Sequence, residues 1–156
     1  MDILIGLFTN YSFVVSIVCW TIAQTLKVLL TFIKTQKFEK ERFWGAGGMP
    51  SSHTALVVGL TISLAREYGV SSPYFTIAFV LAGVVMYDAT GIRRAAGEHA
   101  KALNNLLFNW QKNNPDDDAD DGEEIKELKE FLGHTPIQVC AGALLGIIVP
   151  MMIPIF

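Results

Sequence analysis

At 156 residues the chain has room for one domain, which excludes two unrelated functions side by side. Apolar residues make up 51% and charged residues 17%; the net charge of -3 hides an asymmetry, the acids being concentrated in one loop, and nucleic acid is not among the expected partners. The charges are segregated: residues 3–26, 43–65, 68–87 and 131–156 contain no Asp, Glu, Lys or Arg. Each window is long enough for a spanning helix, which takes about 17–25 residues. The expected fold is all-α: a polytopic membrane helical bundle of about four transmembrane helices plus a surface amphipathic helix, with residues 1–156 forming a single membrane domain.

In chain order, residues 3–8 read as an interfacial lead-in or an early turn, and no basic stretch precedes them to make a signal peptide. The first long helix is expected over about 11–33 with Lys27 in its last third. It is followed by a basic stretch (Lys34, Lys37, Lys40, Arg42) and the glycine-rich "GAGGMP". The second helix starts at the Ser51/Ser52 pair and ends near "REYG"; the third starts at Pro73 and ends near Asp88. Then Ala95, Leu103, Leu106, Leu107 and Trp110 recur at near-helical spacing between polar residues, the pattern of an amphipathic helix at a membrane surface or on the bundle.

The stretch "PDDDADDGEE" reads as a solvated acidic loop. Asp116, Asp118 and Asp120 have alternating ligand spacing, but Asp121 stands at the sixth position, where an EF-hand loop needs glycine. The last helix runs from about Thr135 through Gly142 and Gly146, a small-residue face suited to helix packing, with Pro150 and Pro154 disturbing its far end. Cys19 and Cys140 lie in apolar windows without metal-ligand spacing and read as small hydrophobes.

Ten of the twelve Lys and Arg residues fall between helices one and two or between helices three and four, whereas the loop between two and three holds only Arg66. The positive-inside rule then puts both charged loops, with the helix and acidic loop at about 93–130, in the cytoplasm. Alternating spans bring His53, Asp88, Arg93, Arg94 and His134 to that face, with Lys27 near the same level.

Two histidines at helix N-termini, two arginines and a lysine form a plausible anion site, and phosphate suits the donors best. One imidazole can attack phosphorus while the other protonates the leaving oxygen, with no metal or cofactor required. Each residue also has a plainer role. Pro50, Ser51 and Ser52 suit any helix cap, and the plainer role of Lys27 is to snorkel to the surface. Asp88 would cost roughly 2.5–3.5 kcal/mol at the bilayer centre, so pairing with Arg93 or Arg94 at the edge is its modest reading. His99 reads as solvated or interfacial.

"GGMPSSH" resembles the Pro-Ser-Gly-His motif of the type 2 phosphatidic acid phosphatase and vanadium haloperoxidase superfamily, and "GHTPIQVCAGALLG" resembles its later His motif. With "MYDATGIRRAAGEHAKALN", the whole chain looks like the small divergent branch of that superfamily. The resemblance implies His134 as nucleophile, His53 as general acid and Ser52 as a hydrogen-bond donor to phosphate, with Lys27 echoing the family's first motif; the expected position of Arg93 and Arg94 at the same face adds them as phosphate ligands, with Asp88 and Gln138 behind them.

Two departures stand out. Gln138 replaces an orienting Asp, and Leu128 replaces an Arg six residues before the later His; Arg93 or Arg94 would supply that charge from a distance in sequence. The expected function is an integral membrane phosphatase-like protein acting on a phosphorylated lipid or other phosphate ester. The alternative, favoured by Gln138, is a noncatalytic membrane protein that keeps the pocket for phospholipid headgroups or a partner. A homodimer would add to the small core that four short helices bury.

Overall fold

The structure is a computed structural model that describes residues 2–36, 48–113, 128 and 133–156. The described residues form α1 (Asp2–Thr9), α2 (Tyr11–Thr35), α3 (Ser52–Tyr68), α4 (Pro73–Thr90), α5 (Ile92–Asn113) and α6 (Pro136–Met152), with no strand among them. The chain is a helical membrane bundle. Lys37, Lys40, Arg42 and the acids from Asp116 to Glu124 lie outside the described residues.

Local chemistry sets the helix starts. The Asn10 side chain accepts from the Phe13 N–H at 2.8 Å, the Ser51 hydroxyl caps the Thr54 N–H, and Ser72 caps Tyr74 behind Pro73 in the first turn of α4. Residues 11–33 of α2 and the stretch beginning at Pro73 are long and apolar enough to cross a membrane, and α6 is a shorter apolar helix.

Helix α3 differs. Its 17 residues reach about 25 Å, the short end of a span. It sits at the centre, packed against α2, α4 and α6. Its small and polar residues, among them Ser52, Thr54, Ala55, Gly59, Thr61 and Ser63, are buried against those neighbours. A helix surrounded by protein needs no lipid-facing apolar coat, so the second window looks marginal as a span while holding the middle of the fold.

Close approach depends on small side chains, the usual basis of helix packing in lipid. A Cβ at Gly59 would lie 2.7 Å from the Cys19 sulfur, and one at Gly146 would lie 2.9 Å from the Ala55 carbonyl oxygen. Gly142 meets the Ser51 carbonyl oxygen in the same way. Larger apolar residues such as Ile77, Val80 and Val84 of α4 and Ile147 and Ile148 of α6 face outward.

The expected disturbance at the end of α6 takes a specific form. Helix geometry continues through Pro150 to Met152. The helical donor for the Pro150 carbonyl would be residue 154, a proline with no N–H. Arg66 Nη1 and the Tyr11 hydroxyl donate to that carbonyl and to the Ile153 carbonyl, the latter at 2.8 and 3.2 Å. Arg66 also donates to the Tyr11 oxygen, and the Ser12 hydroxyl donates to Glu67 at 2.7 Å. Arg66 thus joins α2, α3 and α6 at one end of the bundle.

Helix α5 follows a turn at Gly91 and leaves Ile92, Leu103, Leu106 and Trp110 exposed along one side. On its buried side, Asn104 donates to the Leu128 carbonyl at 2.8 Å and accepts from the Leu128 N–H at 2.9 Å.

Candidate anion site at the His134 end of the bundle

Three backbone and packing links hold the other end together. The Ser51 N–H, at the start of α3, donates to the Gln138 carbonyl of α6 at 3.0 Å. The His134 N–H donates to the Ala89 carbonyl near the end of α4 at 3.1 Å. Gly48, just before α3, lies against the stem of Lys27 from α2; a Cβ there would meet Lys27 Cγ and Cδ at 2.9 Å. Gly48 has φ +86°, so glycine answers both the backbone conformation and the space.

Lys27, Ser52, Asp88, Gln138 and His134 therefore come from four helices to one end of the bundle, with His53 on the second residue of α3. Lys27 is only 2% exposed, so it is held within the protein and does not snorkel to the surface. Ser52 is buried, Asp88 half-buried and His53 exposed. Neither α3 nor α6 carries an acidic residue in its first turn, so their two N-termini add positive potential without a competing carboxylate there. Among the described residues no group of His, Cys, Asp and Glu has a metal-binding arrangement.

His134 is 5% exposed, and its orientation is well defined. Gln138 Oε1 accepts the Thr135 N–H at 3.1 Å, an interaction that fixes the oxygen, not the NH2 group, on this side of the amide. The same oxygen lies 3.1 Å from His134 Nδ1. An oxygen can only accept, so Nδ1 carries the proton and Nε2 carries the lone pair when the ring is neutral. Gln138 at the position of the expected Asp thus sets the tautomer required of a nucleophilic Nε2, without contributing negative charge.

The arginines behave differently from one another. Arg94 points to the outside of α5, where Nε pairs with Glu98 at 3.1 Å and both side chains are about half exposed to solvent. The backbone of Arg93 is in the first turn of α5, four residues after the carbonyl that receives the His134 N–H; its side chain lies outside the described residues. His99 is exposed on α5, and the side chain of Lys34 is outside the described residues.

Sequence reasoning did not reach Gly48, the Ser51–Gln138 backbone link or the Asn104–Leu128 pair. The glycine-rich turn hinted at the first. The other two join segments far apart in the chain and leave no local signature.

A family model described as "Divergent PAP2 family" matches residues 8–149. The chain is 38% identical over 154 residues to the uncharacterized membrane protein YuiD of Bacillus subtilis (strain 168), covering 96% of this chain and 98% of that one. No solved structure matches it.

Proposed function

The chain belongs to the divergent PAP2 family, and from that premise we propose that it is a membrane phosphatase hydrolysing a phosphomonoester through a phosphohistidine at His134. The observation that carries the reading is the shared Gln138 oxygen, which faces both the Thr135 N–H and His134 Nδ1. It leaves the Nε2 lone pair as the nucleophile of a buried imidazole.

In the first step Nε2 attacks phosphorus and the bond from phosphorus to the ester oxygen breaks. His53, entering protonated, gives its proton to the departing alkoxide. In the second step water attacks the phosphohistidine, His53 takes a proton from that water, and the bond from phosphorus to nitrogen breaks. Inorganic phosphate leaves and both histidines return to their starting forms. Lys27, Arg93 and the N-termini of α3 and α6 neutralise charge on the transferring group, and Ser52 donates a hydrogen bond to it. Arg94 joins them only if it exchanges Glu98 for phosphate. Asp88, half-buried near the end of α4, orients Arg93 by pairing with it. On the positive-inside rule this end faces the cytoplasm.

Gln138 favours a second reading. A neutral amide stabilises an imidazolium less than a carboxylate does, and a protein that only binds phosphorylated headgroups has no need of that charge. Phosphate release by the purified protein, with His134→Ala and His53→Ala alongside, decides between them. The phosphatase reading expects release that both substitutions remove, and a labelled phosphoenzyme that His134→Ala lacks. Release no greater than that of His134→Ala across lipid and soluble phosphomonoesters would defeat the phosphatase reading.

A further inference from the structure

Helix α5 stands apart from the core. Among the described helices it packs appreciably only against α4, its neighbour in the chain, and Gly91 at φ -103° and ψ -89° breaks the helix between them. Ile92, His99, Leu103, Leu106 and Trp110 fall at helical spacing on one stripe, all exposed. A second side, with Gly97 and Asn104, is buried. A third, opposite the stripe, carries Arg94 and Lys101, both exposed.

The buried side ties α5 to the candidate site. The Asn104 amide pairs with Leu128 as a backbone unit would, donating to its carbonyl at 2.8 Å and accepting from its N–H at 2.9 Å. Six residues after Leu128 comes His134, whose own N–H returns to the Ala89 carbonyl, two residues before the break at Gly91. Helix α5 is thus one side of a closed frame that runs from Ala89 through Asn104 and Leu128 to His134 and back. An influence that steadies α5 steadies the segment carrying the imidazole, and Arg93 opens the same helix.

The stripe needs an apolar phase, and its surroundings select one. The stretch beginning at Pro73 is apolar enough to cross a membrane and α4 ends at Thr90, so α5 starts at the bilayer surface and lipid is the nearest apolar phase to Ile92. The helix carries four Lys and Arg residues against one acid, Glu98. Cations on the polar side, with leucines and the amphipathic rings of Trp110 and His99 on the other, suit a helix lying in the headgroup layer of an anionic leaflet. A second copy would instead bring up a helix of the same positive charge.

We propose that α5 docks its apolar stripe into the anionic headgroup layer of the membrane that holds the bundle, and that this docking braces His134 through the Asn104 and Leu128 pair. The docking is independent of what the site does; its effect on turnover rests on the phosphatase reading.

The test uses the full chain in nanodiscs that hold one copy each, with Trp20→Phe and Trp44→Phe leaving Trp110 as the reporter. Quenching of Trp110 by phospholipid brominated near the headgroup end of its chains is expected to be severalfold stronger with phosphatidylglycerol in the disc than with phosphatidylcholine alone, and to weaken with salt. Leu103→Ser with Leu106→Ser should abolish that difference. Lys101→Gln should lower the docked-to-free ratio about fivefold, the worth of one cation close to an anionic leaflet. Phe108→Ser, as exposed as Leu106 but off the stripe, should leave it intact.

The link to the site is read separately, as the rate at which diethyl pyrocarbonate modifies His134, with the exposed His53 as reference. Modification of His134 is expected to be severalfold slower in the anionic discs, and Asn104→Ala should erase that difference while Trp110 quenching persists. Quenching equal in the two lipids, quenching only in discs that hold two copies, or an equal loss with Phe108→Ser would overturn the docking. His134 modification that ignores the lipid, or a lipid effect that survives Asn104→Ala, would overturn the brace. None of these measurements uses phosphate release, so the docking and the catalysis stand or fall separately.

Discussion

Arg66 and His134 lie at opposite ends of one bundle, and both are polar side chains drawn in from water, yet they are used differently. At the Arg66 end, side chains serve the backbone: a guanidinium and a phenol meet carbonyls for which the end of α6 and Pro154 supply no N–H. At the His134 end, the backbone groups of different helices meet one another, Ser51 with Gln138 and His134 with Ala89. The imidazole is instead oriented by a side chain, Gln138. One end thus spends its cations on holding helices, while the other gathers donors at two helix N-termini that have no acid in their first turns. A cluster of charge in a membrane protein is therefore not in itself a site; what its donors face decides.

The contrast breaks most sharply at His134. His134→Ala should reduce phosphate release to background, a loss of about 10³-fold or more given that acid–base partners alone contribute about 10²–10⁴-fold. Thermal unfolding in detergent should change far less than release does. A variant that unfolds outright would make His134 a structural residue like Arg66. Next in size, Arg66→Ala should destabilise the bundle by about 2–3 kcal/mol, the range for losing hydrogen bonds to a charged group. Release per folded molecule should be retained, and a selective loss of release would erase the distinction between the two ends.

Gln138→Glu sharpens the comparison, since it keeps an acceptor for the Thr135 N–H and His134 Nδ1 and adds charge. Hydrogen bonds to charged groups are worth roughly 1.5–3 kcal/mol against about 1 for neutral ones, so phosphoenzyme formation should quicken by about tenfold in a single-turnover assay. A slower reaction would mean that the neutral amide is the tuned choice. The smallest effect is expected at Gly48, where Gly48→Ala should cost about 1 kcal/mol from its positive φ and displace Lys27. Its signature would be weaker phosphate binding with little change in turnover; an unchanged KM would remove Lys27 from the site.

Much of this plan is written locally. Ser51, Pro73 and Thr135 mark helix starts through capping chemistry, and alternation of spans carries His53, Asp88 and His134 to one end without any knowledge of side-chain contacts. The role of Gln138 was half legible, because an amide four residues after a histidine can reach its ring, but the tautomer follows only from the Thr135 N–H on the same oxygen. Arg66 looked like the lone cation of a short loop. Its purpose depends on a proline 88 positions later that withholds a donor, and no local pattern conveys that. The composition of α3 understates its place for a related reason: hydropathy measures suitability for lipid, and this helix meets mostly protein.

The hydrogen bond from Tyr11 to the Ile153 carbonyl joins residues 142 apart in sequence. Synthesis delivers α2, α3 and α4 well before α6, and membrane helices can insert before they assemble. The cleft between α2 and α3 must therefore wait, with Ala55, Gly59 and the start of α3 uncovered, until the glycine face of α6 slides in and Arg66 finds its carbonyls. The same docking event delivers His134. In this order of assembly, a partly made bundle lacks the segment that carries His134, and the proposed site is complete only when the fold has closed.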